Sequence, residues 1–160
     1  ILGPQDDRFT EEGIATFLNS RYTIGADFDR QGYRLEGPKI RHVTDGNIIS
    51  DGIVFGSVQV PTSGDPIVMM AEHQTVGGYA KIATVITVDL PVLGQCKAGD
   101  AVRFVRTSVE EAERLAEASR RELDALAARI GRGFERPARR SFKVTVDGRA
   151  YSVSIEREED

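Results

Sequence analysis

The sequence predicts a mainly β domain, either a closed barrel or a sandwich, followed by one long helix and a terminal β-hairpin. Three observations carry this. Residues 1 to 107 are rich in glycine and in short apolar runs separated by turn residues. At Ser108 the apolar spacing changes abruptly to a helical period. After residue 141, apolar and polar residues alternate on both sides of an Asp-Gly pair. Short strands with closely spaced turns favour closed or stacked all-β architectures.

The elements follow in order. Thr10 reads as the N-cap of a short helix, with Glu11 and Glu12 at its positive end and Phe9 and Ile14 at the spacing of a hydrophobic staple. Ile14, Phe17 and Leu18 form its buried side, and it is the one helix expected before residue 108. From Tyr22 onward, strands and turns take over. Val58 and Val60 alternate with polar residues and stop at Pro61, and Thr62-Ser63-Gly64-Asp65 is turn chemistry before the apolar run Ile67 to Ala71. Lys81 to Asp89 is rich in β-branched residues and reads as a strand, Pro91 and Gly94 break it, and Ala101 to Val105 is a last strand. Ser108 and Glu111 form a capping box for a helix over 108–131 that ends at Gly131. Its apolar stripe runs through Ala112, Leu115, Ala116, Leu123, Leu126, Ala127 and Ile130, which suits a helix packed on the barrel wall. Residues 132–141 are a glycine-, proline- and arginine-rich linker. Over 142–156 a type I′ turn at Asp147-Gly148 pairs Val144 with Tyr151 and Phe142 with Val153, placing the apolar side chains on one face.

Bulk properties narrow the functions. With 160 residues there is room for one domain and a small appendage. A formal charge of -4 and a pI near 5.3 argue against a nucleic-acid partner, which needs a positive surface. The single Cys96 gives no internal disulfide, and the sequence has neither an apolar run long enough to cross a bilayer nor a leader, so a cytoplasmic location is expected by default. The chain opens on Ile1, which suggests a piece of a longer protein. The two histidines and one cysteine lack metal-ligand spacing, and there is no Gly-x-x-x-x-Gly-Lys loop, so ATP would be handled elsewhere.

Three stretches carry more specific information: Asp29 to Pro38, Ile49 to Ile53 continuing through Gly56 to Pro61, and Gln74 to Ala83. Together with Gly3-Pro4-Gln5-Asp6 they resemble, in order and over residues 1 to about 107, the family known as allophanate hydrolase subunit 2, as urea amidolyase-related protein or as the C subunit of 5-oxoprolinase. The resemblance implies a cyclophilin-like β-barrel, the second barrel of the family's subunit, whose first barrel is a missing partner. It implies a carboxyltransferase-like activity on a small amide or lactam. In urea carboxylase the region moves CO2 from carboxybiotin to urea; in 5-oxoprolinase the subunit works with two others in ATP-dependent ring opening of 5-oxoproline. One branch is linked to antagonising a kinase inhibitor, so a non-catalytic module binding partner subunits is the alternative. Ser141 to Ile155 looks like the lead-in strands of a biotin-carrier domain. The family's Ala-Met-Lys-Met turn is absent, since the lysines are Lys39, Lys81, Lys97 and Lys143, so biotin would be carried by another domain.

Carboxyl transfer needs oxyanion stabilisation, a proton-handling group and exclusion of water. Lys81, His73 and Asp51 are the candidate catalytic residues: a cation, a group titrating near neutrality, and a proton acceptor or turn residue. Gly77 and Gly78 would admit backbone N–H groups to a ligand, or form a bend. Gln74, Thr75 and Tyr79 join them as substrate-binding candidates. In the first motif Arg30, Tyr33 and Arg34 are further substrate-binding candidates, the two arginines either clamping a carboxylate or pairing with Asp29 and Glu36.

Overall fold

The computed structural model of the chain describes residues 1–133 and 139–156. Two compact units emerge, Ile1–Ser119 and Arg120–Asp160.

In the first unit, a single 3-10 turn at Asp6–Arg8 precedes helix α1 (Glu11–Asn19). Thr10 caps α1 as its sequence predicts: the Gly13 N–H donates to Thr10 Oγ1 at 2.9 Å. Strands β1 (Arg21–Phe28), β2 (Gly32–Glu36), β3 (Asn47–Gly52), β4 (Ser57–Val60), β5 (Ile67–Met69) and β6 (Val76–Thr84) follow. A four-residue helix α2 (Leu90–Leu93) and strand β7 (Ala101–Arg103) precede helix α3, which begins at Val109 and extends to Gly133. The seven strands form one antiparallel sheet in the order β3-β6-β4-β5-β2-β1-β7. One core draws Tyr22 and Ile24 from β1, Leu35 from β2, Val58 and Val60 from β4, Val68 from β5 and Ile82 from β6. Phe17 of α1 stacks on Phe104 with ring centroids 4.4 Å apart.

The fold is mainly β with a long helix, as read from the sequence, but four local expectations change. The strand placed at Lys81 to Asp89 starts at Val76 and ends at Thr84, so Gly77-Gly78 lies within a strand rather than at a bend. A second helix, α2, exists before residue 108 because Pro91 sits in its first turn, where the missing N–H has no partner to lose. Gln59 does not face water: β4 lies between β6 and β5, all four of its residues are buried, and alternation therefore fails to mark a solvent face. At Ser108 only half of the capping box forms, because Glu111 donates its N–H to Ser108 Oγ while its carboxylate turns to Arg114.

The first turns of α3 are half-buried at Ala112, Leu115 and Ala116, whereas Leu123, Leu126 and Ile130 are exposed. In the second unit, β8 (Arg139–Val146) and β9 (Arg149–Glu156) form the expected hairpin. Val144 faces Tyr151 and Phe142 faces Val153. Asp147 and Gly148 both take positive φ, 48° and 77°, which a type I′ turn requires. Half of the linker read from the sequence, 134–138, lies outside the described residues, while its first two residues end α3 and its last three begin β8.

Candidate functional site

The site is assembled around β6. Alternation puts Gly77, Tyr79 and Lys81 on one face of that strand. Gln59 of β4 is the register partner of Lys81. Both are polar residues inside the sheet: Lys81 is 3% exposed and Gln59 2%. A buried ammonium needs a counter-charge. It has one in Asp51 of β3, whose Oδ2 accepts from Lys81 Nζ at 2.8 Å. Asp51 is half-exposed, with its side chain 51% accessible. The sequence assigned both residues to the site but offered no reason for them to meet. The register shift between Asn47 and Asp51 in the β3–β6 pairing accompanies the approach.

The carboxyl of Asp51 is held below the usual carboxylate range, first by the hydrogen bond from Lys81, then by those from the Gly52 N–H and the Gln5 side chain. A carboxylate held ionised in this way is a weak proton acceptor and a firm anchor for a cation. Gln5 was not among the residues singled out from sequence as chemical. Its Nε2 donates to Asp51 Oδ2 at 3.0 Å, and its Oε1 accepts from the Lys81 main-chain N–H at 3.2 Å.

Gln59, the register partner of Lys81, also lines a cavity of about 600 Å³ whose wall includes Asp27, Phe28, Arg34, Gln74 and Tyr79; Lys81, Asp51 and Gln5 are not on that wall. Arg34 is exposed there and makes no ion pair among the described residues. Arg30 is different, because its guanidinium is bound by Glu72 at 2.9 Å. The Asp29/Arg30 and Arg34/Glu36 network offered as one reading of the motif therefore does not form. Asp29 instead accepts from the Gln31 and Gly32 N–H groups and closes the β1–β2 turn.

Other candidates fall away from the cluster. Tyr33 is buried in the core, edge-on to Phe28 at 5.3 Å, and is absent from the cavity wall. His73 Nδ1 lies 2.7 Å from the Gln74 carbonyl oxygen and hydrogen-bonds with neither Lys81 nor Asp51. Thr75 is exposed and contributes its carbonyl to the Ile53 N–H at 2.9 Å.

The glycine pair divides in role. A Cβ on Gly77 would stand 2.8 Å from Ile53 Cδ1 and 3.0 Å from Gln59 Nε2, whereas one on Gly78 would find Ile48 O at an ordinary 3.5 Å. Gly77 thus leaves room for the buried Gln59 amide. We expect Gly77→Ala to cost about 1–3 kcal/mol by overpacking, and Gly78→Ala to lie within about 0.5 kcal/mol of the parent. Urea unfolding of the two variants checks this, and equal effects would remove the steric assignment.

A buried lysine–carboxylate pair in an antiparallel sheet, with a polar cavity bordered by the lysine's register partner, is the kind of arrangement in which small-molecule sites are sought. Residues 1–106 match the family model described as carboxyltransferase domain, subdomain A and B, and the chain belongs to that family. It is 37% identical over 130 residues to the C subunit of 5-oxoprolinase from Escherichia coli, covering 81% of this chain and 42% of that protein. With the C subunit of 5-oxoprolinase from Haemophilus influenzae the identity is 44% over 96 residues, 60% of this chain and 31% of the relative. The chain therefore spans less than half the length of these two relatives. The crystal structure of Kluyveromyces lactis urea carboxylase superposes with a TM-score of 0.73 at 28% identity, over 78% of this chain and 12% of that one. Among the described residues, no helix is long and apolar enough to cross a membrane.

Proposed function

We propose that the chain supplies one half of a carboxyltransferase-like site acting on a small amide or lactam, within a larger enzyme. The other half is another barrel of the same subunit, and the sheet of Ile1–Ser119 is the wall of a cyclophilin-like barrel. The observation that carries the reading is the buried Lys81 ammonium, fixed by Asp51, with Gln59, the register partner of Lys81, lining the polar cavity. Biotin borne by another domain supplies the carboxyl group when it is bound, and ATP is used by partner domains or subunits. The side chains fit such a ligand: on the cavity wall the Gln74 amide offers a donor and an acceptor, which match an amide or ureido group.

In this reading Lys81 stabilises the negative charge that grows on the substrate's carbonyl oxygen as its N–H is lost. A fixed cation in a water-poor site is effective there because it needs no reorganisation. Asp51 orients Lys81 and does not itself take the proton. Lysine is thus the catalytic group contributed by this chain, and proton removal falls to a group of the partner barrel.

Arg34 gives the finer choice of substrate. Its unpaired guanidinium on the cavity wall suits a carboxylate, which 5-oxoproline has and urea lacks. We expect Arg34→Ala in the assembled enzyme to raise KM for a carboxylated lactam about 10- to 100-fold, the worth of a charge-assisted hydrogen bond. Steady-state kinetics against an uncharged amide supply the control. An equal rise for both substrates would refute the carboxylate assignment.

A second reading, an interaction module without chemistry, is favoured by the exposed apolar hairpin residues Phe142, Val144, Tyr151 and Val153. Full turnover after removal of the Lys81 charge would select it.

A further inference from the structure

The Gly3-Pro4-Gln5 segment reaches the site through a close main-chain approach. Leu2 forms an antiparallel bridge with Ala83, and the Gly3 N–H donates to Ile82 O at 2.8 Å. A Cβ on Gly3 would fall 2.3 Å from Lys81 O, a main-chain atom that cannot move aside. Glycine is therefore required where the segment crosses β6. Two residues on, Gln5 turns back to the same strand and covers the Lys81 N–H.

Only an amide can do what Gln5 does next. Its oxygen accepts from the Lys81 main chain while its nitrogen donates to Asp51 Oδ2, the oxygen that also receives Lys81 Nζ. Glutamate cannot donate when ionised, and leucine has the shape but neither bond. Asp51 is half-exposed on β3, so its rotamer is not fixed by packing alone. The amide ties that rotamer to the backbone of the residue whose ammonium it must hold.

We infer that Gln5 is a positioning residue: its side-chain amide bridges the Lys81 main chain and the Asp51 carboxylate, and so fixes where the Lys81 ammonium points. The inference rests on the proposed role of Lys81 in turnover. Among the described residues, the charged group against Asp51 is Lys81 from β6; the N-terminal segment presents the uncharged Gln5.

The test compares Gln5→Leu and Gln5→Glu with the parent in two measurements. The first is titration of the Asp51 carboxyl by carbon-13 NMR in the full chain. The second is kcat and KM against pH in the assembled enzyme, with 5-oxoproline and ATP as substrates. Loss of the donor in Gln5→Leu moves the Asp51 titration to higher pH. Gln5→Glu moves it further, because a like charge is added. With the ammonium loosened, kcat falls about tenfold or more, KM stays within about twofold, and the acid limb of the profile moves up with Asp51. An unmoved Asp51 titration in both variants overturns the inference whatever the activity. A moved titration with unchanged kcat and pH profile also overturns it, leaving a merely structural contact. Failure of the parent reading is read separately, as full turnover in Lys81→Met.

Discussion

On the proposed role of Lys81, Lys81→Met is expected to lower turnover of the assembled enzyme by about 10²- to 10³-fold, the usual loss when a preorganised oxyanion donor is removed, while the chain keeps its fold. Methionine is chosen because Lys81 is buried along its whole stem. It fills the space of the methylenes and removes only the charge. Removing one member of an ion pair is costly when the other is left buried as an uncompensated charge, and mild when the other reaches water. Here the partner Asp51 stays half in water and keeps its hydrogen bonds from the Gly52 N–H and Gln5. Single-turnover rates at saturating substrate, taken with thermal unfolding of the same sample, separate chemistry from folding. A variant that unfolds like the parent and turns over at the parental rate would exclude Lys81 from the reaction.

The largest expected loss of stability lies away from this site, at Phe17. This ring is 1% exposed, stacks on Phe104 at 4.4 Å and meets Tyr22 at 6.4 Å. Phe17→Ala should cost about 3–5 kcal/mol, as ring deletions in packed cores do. Phe17 also borders a largely apolar pocket of about 350 Å³, shared with Leu18, Leu93, Val102 and Phe104, so deleting the ring enlarges an existing space. Phe17→Leu, which keeps most of the volume, should cost less than about 1.5 kcal/mol. Urea unfolding of both variants measures the difference. Near-equal values would mean that α1 is held chiefly by contacts other than this ring.

How much of this was legible in the sequence depends on the range of the forces involved. Local signals were readable. Thr10 and Ser108 accept the N–H three residues on, and Asp147-Gly148 sets a register that matches the alternation of Phe142, Val144, Tyr151 and Val153. The ordered motifs led to the family that the match over residues 1–106 establishes. Signals that depend on a strand's neighbours were not readable. Gln59 between two valines reads as a solvent-facing position, and only the placement of β4 between β5 and β6 buries it. The strand character of Gly77-Gly78 was hidden by glycine's preference for turns. Of the site candidates, Lys81 with Asp51, and Gln74 and Tyr79 with Arg34, are brought together. Tyr33, His73 and Arg30 are engaged elsewhere, with Phe28, the Gln74 carbonyl and Glu72. Gln5 was visible only as part of a motif, since nothing in the sequence states that a residue near one end touches strands so far along.

That last distance has a kinetic meaning. The hydrogen bonds that tie Gln5, Asp51 and Lys81 span 76, 46 and 30 residues of chain. Closing such loops costs entropy before any contact repays it, and topologies dominated by distant pairings fold slowly. The Lys81–Asp51 pair closes the shortest of the three loops, between β3 and β6, whereas both bonds of Gln5 require the leading segment to be docked across β6. The bracing of Asp51 by Gln5 is therefore the most entropically costly part of the cluster to assemble, because its two bonds close the longer loops.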